Sequence, residues 1–305
     1  MSSIVILTPS YRMDLERFKR LHDSVLRFTE PGVIHHAIVP RRDLALFQRI
    51  ESPRLRVWAE SDYLPQGFKA TDRFSATAAK FPFIPSTLRC SAINLKRPWP
   101  PVRGWVLQQL LKLSFCSDSV DEAVIIIDSD VILVRMLSAE QFFRMGVVRL
   151  YENPYAIDGA MRRHVIWTKT AHRLLGLPEP AGETHSDYVG GIISWDPEVL
   201  RKCLTRIEEV FGGSWASVIA AELHFSEFIL YGTYIRHFGT DRERSFSENR
   251  TLCHSYWNYE PLDESGVLDF VGAFDVRDLA VHIQSNSGTS DLIVDQVVAS
   301  LRGNY

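Results

Sequence analysis

The chain has 305 residues, 46% of them hydrophobic and 23% charged, and a net charge of −3 at neutral pH. That is enough chain to bury one large core or two small ones, and so mixed a charge pattern excludes the basic footprint that nucleic acid or an anionic membrane selects. No window approaches the ~18 apolar residues of a spanning helix, and Cys90, Cys116, Cys203 and Cys253 lie far apart, which predicts reduced thiols in a cytoplasm rather than a disulfide frame or zinc knuckle.

The opening MSSIVILTPSYR enters an apolar strand, Ile4 to Thr8, without a basic leader and too short for a signal peptide core. MDLERFKRLHDSVLRF follows with Leu15, Phe18, Leu21, Val25 and Leu26 at helical spacing, a β-loop-α unit. GVIHHAIVP and RLRVWAE predict two more strands, and Asp43 a cap for the helix DLALFQRI between them. Residues 63–101 read as a long irregular excursion carrying Pro65, Pro82, Pro85, Pro98, Pro100 and Pro101. GWVLQQLLKLSF is a helix leading through a polar turn into AVIIIDSDVILVR. Beyond it come a helix near SAEQFFRM, a strand-like VVRLYEN, and a helix over RRHVIWTKTAHRLLGL closed by Gly176 and Pro178. DYVGGIISWD returns to strand, with Gly190 and Gly191 where a ligand could approach the backbone. PEVLRKCLTRIEEVFG is a helix capped by Asp196, FSEFILYGTYI begins another, and AVHIQSNSGTS is a short strand running into a turn before the last helix, DLIVDQVVASL.

Strands alternating with helices predict an α/β fold: one domain with a mostly parallel central sheet flanked by helices. Ligands in such sheets sit beyond the carboxyl ends of the strands, where Ser10, Tyr11 and Arg12 fall. In AVIIIDSDVILVR, Asp128 and Asp130 interrupt an otherwise buried strand, and an ionised carboxylate there needs a partner. In an ideal strand the two share a face. If the strand ends at this point both project into the crevice, where a magnesium or manganese ion could bridge them to phosphate oxygens. Two carboxylates hold such an ion loosely, and His282, in another predicted strand, is the candidate third ligand.

The ordered set ILTPSYR, GWVLQQLLKL, IIIDSDVILVR, DYVGGIISWD, FSEFILYG and AVHIQSNSGTS resembles GT-A-fold (Rossmann-like) nucleotide-sugar glycosyltransferases, and more narrowly a bacterial glycosyltransferase-like family of undefined substrate. The resemblance runs from Ile4 to about Ser290. It implies a donor such as a UDP-sugar and a divalent metal at Asp128, Asp130 and His282. It also implies a donor-binding half over residues 1–135 and an acceptor-binding half over 136–305 that carries the last metal ligand. A cation there stabilises the charge left on a departing diphosphate. Gln108 and Lys112 share a helical face with Gln109 beside them, and Lys112 could reach a phosphate. Pro9, Ser10 and Tyr11 would cradle the nucleoside, Tyr11 offering its ring to the base, with Ser129 also on the donor side.

By analogy with the same fold, Glu227 at a helix start could accept the acceptor's proton in an inverting displacement, and Asp187 is the second candidate base or a ligand of donor-sugar hydroxyls. Trp195, His254, Tyr256 and Trp257 are of the kind that suits sugar binding. A haloacid-dehalogenase-type phosphohydrolase also places DxD after an apolar strand, although here at least three strands precede it and no acidic pair follows. A non-catalytic nucleotide-sugar binding module is the other alternative. A nicotinamide oxidoreductase is poorly supported, because TPSYRMD contains no glycine.

Overall fold

The computed structural model describes residues 3–71 and 90–303. In chain order the principal elements are β1 (Ile4–Pro9), α1 (Leu15–Phe28), β2 (Ile34–Val39), β3 (Leu55–Ala59), α2 (Gly104–Asp118), β4 (Ala123–Ile127) and β5 (Val131–Leu133). They continue with α3 (Arg162–Leu174), β6 (Ile192–Trp195), α4 (Pro197–Phe211), α5 (Glu227–Phe238), β7 (Cys253–Tyr256), β8 (Ala280–Ile283) and α6 (Asp291–Gly303).

A five-stranded sheet in the order β6-β4-β1-β2-β3 forms the centre. β4, β1, β2 and β3 run parallel, and β6 lies antiparallel against β4 with Ile192 opposite Ile127. The period-two alternation of the strands divides the core between the two faces. Val5, Leu7, Val124 and Ile126 meet Leu107, Leu110 and Leu111 of α2, along with residues of α4 and α5. Ile4, Ile6, Ile125 and Ile127 meet Leu21 and Val25 of α1. Both faces are therefore covered, which is why these strands read as continuous apolar runs.

A second sheet, β7-β8-β5, runs with β7 parallel to β8 and β5 antiparallel to β8. α6 packs on it through Ile293, Val297 and Leu301. The chain crosses from the central sheet to this one at Asp128-Ser129-Asp130. The predicted single strand AVIIIDSDVILVR is thus two strands in two sheets, joined by a turn in which the Val131 amide donates to Asp128 O at 3.1 Å. The acidic couplet sits at a sheet-to-sheet junction, not in a pleat, and so Asp128 and Asp130 do not share a strand face.

Other expectations change for equally local reasons. DLALFQRI forms only short turns, Arg41–Asp43 and Leu44–Phe47, and Asp43 caps nothing. Its buried carboxylate instead accepts from the amide and Nε of Arg12, pinning the loop after β1. SAEQFFRM is a single 3-10 turn, Ala139–Gln141, because its chain turns at once into a pair of two-residue strands. VVRLYEN breaks into Val147–Val148 and Leu150–Tyr151, and Asn153–Ile157 then pairs with His185–Asp187. Pro82 and Pro85 of the excursion lie outside the described residues, as do the side chains of Cys90 and Pro100. The flanks of the excursion form a three-stranded antiparallel sheet, Phe68–Ala70, Cys90–Asn94 and Arg97–Arg103, with Pro98, Pro100 and Pro101 on its edge strand, where proline is tolerated. Gly190 and Gly191 admit the protein itself rather than a ligand: a Cβ on Gly190 would stand 2.8 Å from Thr251, and one on Gly191 2.7 Å from Cys253 Sγ. The described cysteines, Cys116, Cys203 and Cys253, are free and buried.

Three histidines stand in or beneath the first strands. His35 Nε2 meets Thr8 Oγ1 at 3.0 Å, and that hydroxyl donates to Ile127 O, so His35 Nε2 carries a proton and its Nδ1 accepts from His22 Nδ1 at 3.0 Å. Burial holds His22 and His35 below the ordinary histidine range and brings His36 down to about 4. These rings stay neutral in the folded state while the unfolded chain takes up protons below an ordinary pKa of 6.5. Their contribution to stability is thus present above that pH and lost as pH falls toward the folded values. Urea unfolding is expected to show stability declining from about pH 6.5 to about 4. His36→Gln, which keeps an acceptor for the Trp58 indole N–H, is expected to make that decline shallower; an identical slope would refute the assignment.

Candidate active site

β1 and β4 end side by side, and their carboxyl rim opens into a cleft of about 700 Å³. Asp128 enters it from the end of β4, and Asp130 from the start of β5. His282, on β8, pairs across the second sheet with Val131 and so lies beside Asp130. Their closest atoms, His282 Nε2 and Asp130 Oδ1, are 3.5 Å apart, while the Ser285 amide donates to Asp130 Oδ2 at 2.9 Å. Burial opposes ionisation of Asp130, but His282 and the Ser285 amide outweigh it and hold the carboxyl below the usual range. Trp257 meets the His282 ring edge-on at 4.4 Å, and His282 Nδ1 is buried with no partner among the described residues. Ser129 faces inward, its hydroxyl donating to Ser10 Oγ at 2.9 Å, which ties the turn to the end of β1.

The two carboxylates of the motif have different partners. Lys112 Nζ stands 3.5 Å from Asp128 Oδ1 and 3.1 Å from Glu227 Oε1, and lies over the Phe228 ring. Burial disfavours the ammonium, yet Asp128 and Glu227 together keep its pKa above the ordinary lysine value. Burial pushes the Glu227 carboxyl up, with Lys112 opposing. Glu227 is 3% exposed and does not line the cleft; it stands behind Lys112. Its amide donates to Gln109 Oε1 at 3.0 Å; Gln109 is buried in that contact, and Gln108 is the glutamine that lines the cleft.

Of the three residues at the end of β1, Pro9 lines the cleft, Ser10 is buried behind it, and Tyr11 stands half-exposed outside the lining. Asp187 is in the cleft wall: its Oδ1 accepts from the amides of Tyr188 and Val189, and burial raises its pKa against the pull of those amides and of His164. Trp195 is fully buried against Phe228 and Tyr231. His254 packs on Phe270 with Nε2 on a backbone carbonyl, and Tyr256 donates to Glu260 O, so neither reaches the cleft. Trp257 does.

Sequence reasoning missed Asp14, Trp105, His164, Trp167 and Tyr259, all of which line the cleft. Asp14 is the most telling, because burial raises its carboxyl and the charges of Asp130 and Asp128 push it further, while Arg17 at 2.9 Å pulls the other way. Three carboxylates therefore share one field. Its position just after SYR was the available signal; Trp105, His164 and Trp167 carry no motif.

Among the described residues no three His, Cys, Asp or Glu side chains form a ready-made metal cluster, since Asp128 leans to Lys112 while Asp130 and His282 face each other. The donor types nonetheless suit a divalent cation of the manganese or magnesium kind. The 3.5 Å separation of His282 Nε2 and Asp130 Oδ1 is longer than the usual charge-assisted hydrogen bond.

Fold and cleft together define an α/β protein with an acidic, lysine-bearing crevice at the carboxyl rim of a mostly parallel sheet. The chain belongs to a family of unknown function (DUF6492), whose model matches residues 3–302. No curated protein matches it. Among solved structures it is similar to the apo form of mouse xyloside xylosyltransferase 1, at 13% identity and a TM-score of 0.47, over 93% of this chain and 99% of that one. No helix among the described residues is long and apolar enough to cross a membrane.

Proposed function

We propose that the protein is a metal-dependent glycosyltransferase of GT-A type that moves a sugar from a nucleotide-sugar, a UDP-sugar in the first instance, to an acceptor hydroxyl. The observation that carries this reading is the gathering of Asp14, Asp128, Asp130, His282 and Lys112 in one cleft at the rim of the parallel strands, where such sheets place ligands. Asp128, Asp130 and His282 would hold manganese or magnesium, and the ion would supply positive charge beside the leaving diphosphate.

Lys112 donates to a phosphate oxygen from the same wall, and Glu227 positions it. Pro9 and Ser129 form the floor under the donor, with Tyr11 at the rim for the base; Ser10 and Gln109 act behind them, holding Ser129 and Glu227. Asp187 takes the acceptor's proton as the C1–O bond to the acceptor forms and that to the diphosphate breaks, which inverts the anomeric centre. A carboxyl held above its usual pKa by burial suits that task. In this scheme residues 1–135 supply most of the donor side and 136–305 most of the acceptor side, together with the last metal ligand.

Thermal denaturation of the full chain with UDP, GDP, CDP and their sugars, with and without manganese, tests the proposal. One nucleotide and manganese together are expected to raise the midpoint more than either alone, since a ligand at 100 times its Kd contributes about 2.7 kcal/mol. No shift with any pair, or phosphate release from an aryl phosphate ester, would overturn it; the latter outcome would favour a phosphohydrolase.

A further inference from the structure

Trp105, Gln108 and Lys112 stand at i, i+3 and i+7 of α2, and all three line the cleft, so one face of this helix forms a wall of it. Lys112 marks the end where the carboxylates gather. At 1.5 Å per residue, Trp105 lies about 10 Å further along the helix.

The chemistry of that second end is different. Trp105 is 44% exposed and stacks at 5.3 Å on Trp167, which His164 meets edge-on at 4.6 Å. Trp167 is 7% exposed and backs the Trp105 ring, its indole N–H buried with no acceptor among the described residues. Asp187 Oδ1 accepts from two amides, no donor among the described residues is bonded to Oδ2, and His164 is close enough to feel the carboxylate's charge.

We infer that this end of the cleft is an acceptor subsite built for a hexopyranose, with the C–H face of the ring on Trp105 and a hydroxyl donating to Asp187 Oδ2. A saturated sugar ring has the matching anatomy: an apolar face for an indole and an edge of hydroxyls that donate and accept. A lipid tail has no use for a carboxylate and an imidazole beside the same aromatic pair. The 10 Å between Trp105 and Lys112 separates the two ends by the scale of a diphosphate and a transferred sugar.

The inference rests on the sugar-transfer reading but is tested apart from it. Saturation-transfer NMR on methyl glucopyranoside, galactopyranoside and mannopyranoside, with UDP and magnesium present, reads ring contact directly. At least one glycoside is expected to show saturated ring protons, weakened about five-fold or more by Trp105→Ala and restored by Trp105→Phe. Saturation unchanged by Trp105→Ala, or absent for every glycoside, overturns the subsite. Thermal shifts with UDP and manganese on the same Trp105→Ala protein are expected to match the wild type, which also shows that the variant is folded. Glycoside saturation without any nucleotide shift in the wild type would leave the subsite standing and remove the transferase reading instead.

Discussion

Asp130→Asn is expected to cut sugar transfer by about 10²-fold or more while the protein stays folded. Asparagine keeps the shape and still offers an oxygen to the Ser285 amide, so the turn between the two sheets retains its hydrogen bond. What it lacks is the charge that would hold a cation beside the diphosphate, and removing one preorganised group that stabilises transition-state charge costs on the order of 10²–10³ in rate. Some stability goes as well. The folded pKa of Asp130 lies below its ordinary value, so the ionised form stabilises the fold at neutral pH and that contribution is lost as pH falls through the carboxylate range. Steady-state transfer and a manganese titration by calorimetry check the two halves of the claim. Undiminished turnover, or an unchanged manganese affinity, would show that the couplet is structural.

Glu227→Ala is expected to have the largest effect on stability. It removes the nearer of the two carboxylates from a buried ammonium and leaves a hole at the start of α5. Breaking a buried pair by deleting one partner costs about 3–5 kcal/mol. The double variant Lys112→Met with Glu227→Gln takes away both charges at nearly constant volume, and replacing a buried pair with uncharged groups of similar size is often close to neutral. It should therefore recover most of the lost stability while transfer stays low, because no ammonium remains to meet a phosphate. Urea midpoints for Glu227→Ala, for Lys112→Met and Glu227→Gln separately, and for the double variant decide this. If the double variant is as unstable as the sum of its parts, Lys112 and Glu227 are not coupled and Glu227 has no positioning role.

The parts of the site that were readable from sequence are those whose chemistry is local. Asp128 and Asp130 stood out because ionised groups inside an apolar run require a partner, and His282 because it ended another apolar run. Lys112 was visible as a cation on a helix of mostly buried residues. The contacts of Glu227 and Gln109 were not. Both sit at plausible positions along the chain, but only the packing of α5 against α2 turns Glu227 toward Lys112 and Gln109 toward the Glu227 amide. Trp105, His164 and Trp167 come from two helices nearly sixty positions apart, and no spacing rule links them.

By itself the sequence determined the central strands β1 to β4 and the long helices, that those strands are covered on both faces, and that a charged couplet follows the last of them; apolar periodicity and the cost of burying charge are properties of a segment and its solvent. Tertiary structure decided that the couplet is a junction between two sheets, that Gly190 and Gly191 make room for Thr251 and Cys253, and that Asp187 faces the cleft while Glu227 does not. Those outcomes depend on which elements meet at distances of a few ångströms, and contacts between residues remote in the chain leave no mark on the local pattern of either one.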